Sequence, residues 1–420
     1  MSGRRLPLRP NLDQLKNQAK DLLRAIRAGD SAALAELEQY HPVKIDPGTA
    51  KLADAQLVLA RSYEAPSWPR LVLACRLVEA IWRDDADLVR EMVVRHPHLL
   101  HEETLIRKSN WGPPLSFAAN LGRDRIIQLL RGFGATDLDS ALARAVLQGR
   151  IDTARMLHAM LGAPRPPRGA VMGPAETQNG AGMAYLLELG ADICDAAGDR
   201  MAPVAMLLET YCRNPAGKHQ CLELFVEHGI TLPDTPPLAV HRGRIDLLEE
   251  HLRRDPGLLS RTFSHREIYP PELGCHADES LALHGTPLAG ATLLHLCVDF
   301  GELEIARWLL ARGMNVDAKA AVDADGFGGH TALFGSVVSE LHCSQKHGFE
   351  PEPVFARLLL EHRADPNARA SLRKRLRFTG DESMHEYRDV TPLSWGQRFL
   401  DQNFVSKAAM RLIAEWGGQA

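Results

Sequence analysis

The stretch from Gly290 to Ala318, GATLLHLCVDFGELEIARWLLARGMNVDA, limits most sharply what this chain can fold into. Leu293, Leu294, Cys297 and Val298 form an apolar stripe at helical spacing, and Ile305, Trp308 and Leu309 open a second stripe after Gly301. Thr292 stands where a capping hydroxyl takes an orphan amide of the first turn. Gly313 stands where a helix end calls for a left-handed residue, a conformation glycine adopts without steric penalty. Neither short helix can bury its stripe alone, so the unit needs neighbours stacked on both sides. It is a repeat, not a domain.

The helix–glycine–helix layout recurs along the chain. Leu12, Leu15, Ala19, Leu22, Leu23 and Ile26 make one stripe that ends at Gly29, and Asp30 is placed to cap the helix that follows. In the next units Glu64 and then Asp84 and Asp85 stand near the turn, and Ser67 is placed as a cap. The segment SNWGPPLSFAANLGRDRIIQLLRGFGAT is a clear repeat, with DSALARAVLQGRIDTARMLHAML after it. Residues 164–191 are weaker, and PRPPRGAVMGPAETQNG reads as poor helix that leaves the repeat boundary open. Thr292, Thr331 and Thr391 mark later starts, spaced more widely than a period of roughly 33 because long insertions intervene.

The segment TLLHLCVDFGELEIARWLLARGMNVDA resembles the ankyrin repeat, whose usual pattern is TPLHxAAxxGxxxIVxxLLxxGADVN. Leu293 replaces the family's proline, and Met314 and Asn315 replace its Ala-Asp. The resemblance implies an all-α solenoid of stacked helix-turn-helix units with short β-hairpin or irregular fingers. It also implies a protein–protein interaction scaffold without chemistry or cofactor, in which His295 is structural and bonds toward the neighbouring repeat. The expected organisation is a helical cap over 1–75, degenerate repeats over 76–260, an insertion loop over 261–288, and repeats with long finger insertions over 289–420. Recognition is expected from the rigid fingers and the first helices, along one concave surface.

Composition excludes several classes. A net charge of −4 gives no global field toward nucleic acid or a membrane, and no stretch is long enough to span a bilayer. Seven scattered cysteines without a CxxC pair suit a reducing compartment, and the expected location is cytoplasmic. Cys212 and Cys221 flank an insertion and read as reduced core thiols.

Among local clusters, DADGFGGH (323–330) is the sharpest. Its carboxylates and histidine suit a cation or acid–base work, but it lacks the later ligands of an EF-hand and the lysine of a phosphate loop. The blander account, a tight finger whose Asp residues satisfy their own backbone, outweighs this. Asp323, Asp325, His330, His385 and Asp389 are the candidates for a polar hydrolase-type pocket, should they converge. The interaction candidates are Trp111, Asp323, Asp325, Phe327, His330, Arg373, Arg375, Arg377, Tyr387 and Arg388. The run LRKRLRF (372–378) offers a basic finger for a phosphate or an acidic peptide, a nucleic-acid reading that ranks below a protein partner. His265, Cys275, His276 and His284 lack the paired spacing of a zinc site, so no metal is expected. Phe334, Ser394 and Ser116 stand where other repeats would carry the histidine.

Overall fold

Short oxygen-bearing side chains set the first helix starts. α1 (Leu12–Arg27) begins where Asn11 Oδ1 accepts from the amides of Asp13 and Gln14 at 2.9 and 3.0 Å. Asp30 caps α2 (Ser31–Tyr40), Ser67 caps α4 (Trp68–Trp82) and Asp85 caps α5 (Ala86–Arg95), with α3 (Leu52–Ser62) between them. Glu64 and Asp84 take φ values of 64° and 60° at the turns, the left-handed region that Gly29 occupies at 76°. The α1 stripe is buried through Leu15, Ala19 and Ile26, the first two packing with Leu59, Leu71 and Cys75.

The computed structural model describes residues 4–277, 285–341, 351–376 and 381–420. Tertiary contacts divide the chain into two units, Met1–Pro164 and Arg165–Ala420, at the start of the stretch where the sequence leaves the repeat boundary open.

The first unit continues with α6 (Pro114–Leu121), α7 (Asp124–Gly132), α8 (Leu138–Leu147) and α9 (Ile151–Met160). First helices stack on first helices, α4 on α6 and α6 on α8, while α5 stacks on α7. Ser116 replaces the repeat histidine in deed as well as in place: its amide and hydroxyl both donate to Asp137 Oδ2, at 3.1 and 2.5 Å, reaching the start of the next helix pair.

The second unit contains α10 (Met172–Glu176), α11 (Gly180–Glu188), α12 (Ala202–Glu209), α13 (Pro215–Glu227), α14 (Pro236–His241) and α15 (Ile245–Arg254). A single turn, α16 (His265–Ile268), lies in the 261–288 stretch. Then come α17 (Leu293–Phe300), α18 (Leu303–Ala311), α19 (Ala332–Val337), α20 (Val354–Glu361), α21 (Pro392–Arg398) and α22 (Lys407–Glu415). α14, α17, α19 and α21 form one row and α20 packs on α22, so the first helices stack in file. Among the described residues the architecture is all-α apart from one hairpin, β1 (Ala370–Arg375) and β2 (Met384–Val390), which is antiparallel with a bulge opposite Ser371.

Two expectations need correction. The 261–288 stretch is not a plain loop, because its apolar residues Phe263, Ile268, Tyr269 and Leu273 are buried and hold α16 in place. Nor are three of the second unit's first helices open for recognition. Every residue of α14, α17 and α19 is buried. The insertions fold back over them. Thr286 donates its amide and hydroxyl to Val338 O at the end of α19, and Trp395 Nε1 of α21 donates to Thr286 Oγ1 at 3.0 Å. Tyr269 and His241 pack around Phe300, the last residue of α17.

Candidate functional site

With α14, α17 and α19 covered, the fingers of the second unit carry an exposed polar surface. These are joined by a backbone ladder that passes from one inter-repeat connection to the next. Gly290 N donates to Phe263 O, and Ala321 N to Gly290 O, each at 2.8 Å. Ala320 N then donates to His330 O at 2.8 Å, Gly328 N to Ser371 O at 2.6 Å, and β1 pairs with β2. Gly328 is needed at this crossing: its φ is 121°, and a Cβ there would lie 2.0 Å from Ala321 O.

Asp323 and Asp325 lie at the tip of the 322–329 finger. Asp323 Oδ1 accepts from the amides of Asp325 and Phe327, both at 2.9 Å, which is the self-satisfying turn expected of an aspartate there. These amide bonds, with Arg373 beside them, hold its carboxyl below the usual range. Arg373 on β1 donates to Asp323 Oδ2 at 2.8 Å and to Asp325 Oδ2 at 2.9 Å. Arg373 and Arg388 both lie over the ring of the buried Phe327, at 4.9 and 4.3 Å from its centroid. Arg388 also donates to Glu386 Oε2 at 3.1 Å. Two fingers distant in sequence are thereby fixed together, with their charges matched.

The five candidates for a hydrolase-type pocket are held by different partners. Asp323 and Asp325 hold Arg373. His330 is buried, and its Nε2 donates to Pro287 O at 2.9 Å. His385 pairs with Asp381 at 3.0 Å near the tip of the hairpin, and Asp389 pairs with Arg369 at 2.6 Å. The basic finger is likewise neutralised at Arg373. Tyr387 faces inward against Trp395 and Phe399, with its hydroxyl accepting from Leu400 N. So Phe327, His330 and Tyr387 support the finger from beneath, while Asp323, Asp325, Arg373 and Arg388 are the surface itself. Arg375 is half-buried at the end of β1, and Arg377 lies outside the described residues. Trp111 belongs to the first unit, half-buried with its ring 5.0 Å from Phe117.

His295 behaves as the repeat pattern implies. Its Nδ1 accepts from the Thr292 hydroxyl at 2.8 Å, and its Nε2 donates to His330 O at 3.0 Å. Burial pushes His295 down to about 4 and His330 to about 3. The zinc set is not assembled: His265 Nε2 donates to His276 O, and His276 Nδ1 donates to Glu209. His284 lies outside the described residues. Among the described residues no group of three His, Cys, Asp or Glu side chains is arranged to hold a metal ion, and no helix is long and apolar enough to cross a membrane. Cys212 and Cys221 are both free thiols.

No periodicity marks a pair of buried ion pairs beside Phe300. Arg213, from the insertion before α13, donates to Asp299 Oδ2 at 2.9 Å. Lys218 Nζ and His219 Nε2 both reach Glu302 Oε1, at 3.0 and 2.9 Å. Burial would raise the Glu302 carboxyl, but Lys218 and His219 more than offset it and leave it below its ordinary value. A cleft of about 260 Å³ near α15 is also lined by charges that answer one another. There Asp234 lies 3.0 Å from His251 Nε2 and 3.2 Å from Arg254 Nη1.

Stacked helix pairs with fingers joined along one edge define a helical repeat protein. Residues 289–321 match the family model of the ankyrin repeat, so the chain carries an ankyrin repeat there. Repeats of this kind are, as a class, protein–protein interaction modules. Among solved structures, the ankyrin repeat domain of human ASB11 is similar over 73% of this chain and 99% of its own, with 14% identity and a TM-score of 0.24. No curated protein matches this chain by sequence.

Proposed function

We propose that this chain is an interaction scaffold whose protein partner meets the finger surface built from 322–329 and the β1–β2 hairpin. The supporting observation is the bridge from Arg373 to Asp323 and Asp325 over Phe327, which fixes an exposed polar surface before any partner arrives. Ordering that a scaffold has already met is not paid again on binding. The arginines are residues of the type that dominates interface energy. With Arg373 neutralised, the basic-finger reading for nucleic acid has little support. Co-precipitation from the native host tests the proposal, comparing wild type with Asp323→Ala, Arg373→Glu and the control Arg307→Glu on α18. Loss of partner from the first two variants and not the control is expected. Equal recovery from all of them removes this surface from consideration.

A further inference from the structure

The finger ladder has an end. Each connection from Phe263 onward is covered by backbone bonds from the next, up to β1, and β1 is covered by β2. Among the described residues no backbone group is bonded to the second edge of β2 over Met384–Arg388. An open strand edge is a template for another strand, and natural proteins restrict it with charges and bulges. β2 has both: Glu386 and Arg388 are exposed, and Asp389 sits at the bulge with φ 48°.

The order of those charges selects an occupant. β2 reads Met-His-Glu-Tyr-Arg-Asp-Val. An antiparallel pairing of two copies about a two-fold axis at Tyr387 sets Glu386 opposite the second copy's Arg388, and His385 opposite its Asp389. The two-fold repeats both pairs. Opposite charges directly across an antiparallel pair are stabilising and like charges are not. We infer that β2 is a self-recognition edge, on which a second copy of this chain adds its own β2 antiparallel to form an isologous dimer. Tyr387 holds the strand flat on the second unit from the inner face, against Trp395 and Phe399. The pairing exchanges bonds within one copy, Arg388 to Glu386 at 3.1 Å, His385 to Asp381 at 3.0 Å and Asp389 to Arg369 at 2.6 Å, for bonds across two strands. Dimerisation goes beyond the scaffold role and stands or falls without it, since its test needs no other protein.

The test is sedimentation velocity of the full-length purified chain across a concentration series. Wild type is expected to dimerise with concentration. Glu386→Arg alone or Arg388→Glu alone sets like charges opposite each other twice per dimer, and is expected to weaken dimerisation roughly tenfold or more. The double exchange Glu386→Arg/Arg388→Glu restores complementarity and recovers the dimer, yet does not mix with wild type. Should a single variant fold poorly by circular dichroism, the mixture of wild type with the double variant still decides, because the double variant keeps its own Arg–Glu pair. A wild type that stays monomeric throughout overturns the inference. So does a dimer indifferent to both reversals, or an edge of monomeric protein that captures a different chain instead.

Discussion

Arg213 Nη2 and Asp299 Oδ2 lie 2.9 Å apart with side chains only 3% and 2% exposed, tying the insertion ahead of α13 to the last turn of α17. Removing one partner of such a pair leaves the other buried and uncompensated. Asp299→Ala is therefore expected to destabilise the second unit by about 3–5 kcal/mol, and the double change Arg213→Met/Asp299→Ala by less than the single change. Urea unfolding followed by circular dichroism reads both. A double variant as damaged as the single one contradicts the argument.

His295 and His330 make stability fall with acid in a definite window. Both have folded-state values depressed below 6.5, to about 4 and about 3, because burial disfavours the imidazolium. The unfolded chain therefore takes up protons first. The contribution is complete above pH 6.5 and declines as pH falls below it, by roughly 1.4 kcal/mol per pH unit for each histidine until its folded value is reached. Unfolding midpoints between pH 7 and 5 should show this slope. His330→Gln should flatten it, and an unchanged slope would count against the burial argument.

Two glycines separate backbone strain from packing. Gly313 has φ 86° with nothing within 4 Å of a Cβ, so Gly313→Ala should cost only about 1 kcal/mol. At Gly328 the same change drives a methyl into Ala321 O, 2.0 Å away, and the finger crossing must open. Thermal unfolding should rank Gly328→Ala well below Gly313→Ala. Hydrogen exchange should localise the damage to the amides of 320–330 and 371.

Thr286 offers a further check. Thr286→Val keeps the shape but removes the acceptor of Trp395 Nε1 and the hydroxyl donor to Val338 O. Leaving a buried indole N–H unsatisfied costs about 1–3 kcal/mol. A thermal shift of that order is expected, and a neutral Thr286→Val would show that this segment does not clasp α19 to α21.

The helix starts and turns were legible in the chain because their causes are local. Asp30 and Ser67 each cap through one neighbouring amide, and Glu64 and Asp84 stand where the helix end requires a left-handed residue. The same locality made Asp323 readable as a self-satisfied turn. Burial of whole first helices was not readable. It depends on where the insertions land, and Arg213, Tyr269 and Thr286 come from segments without helical period. The candidate site divides in the same way. Sequence supplied the carboxylates and arginines of the fingers, while the meeting of Arg373 with Asp323, roughly fifty positions away, depends on two inter-repeat connections lying side by side. The exposed fate of Arg388 and the buried fate of Tyr387 are set by which face of β2 meets Trp395. Caps and turns draw on contacts within a few residues, so the order of amino acids determined them. Coverage, charge pairing and the open edge of β2 draw on contacts between remote segments, and only the packed structure decided those.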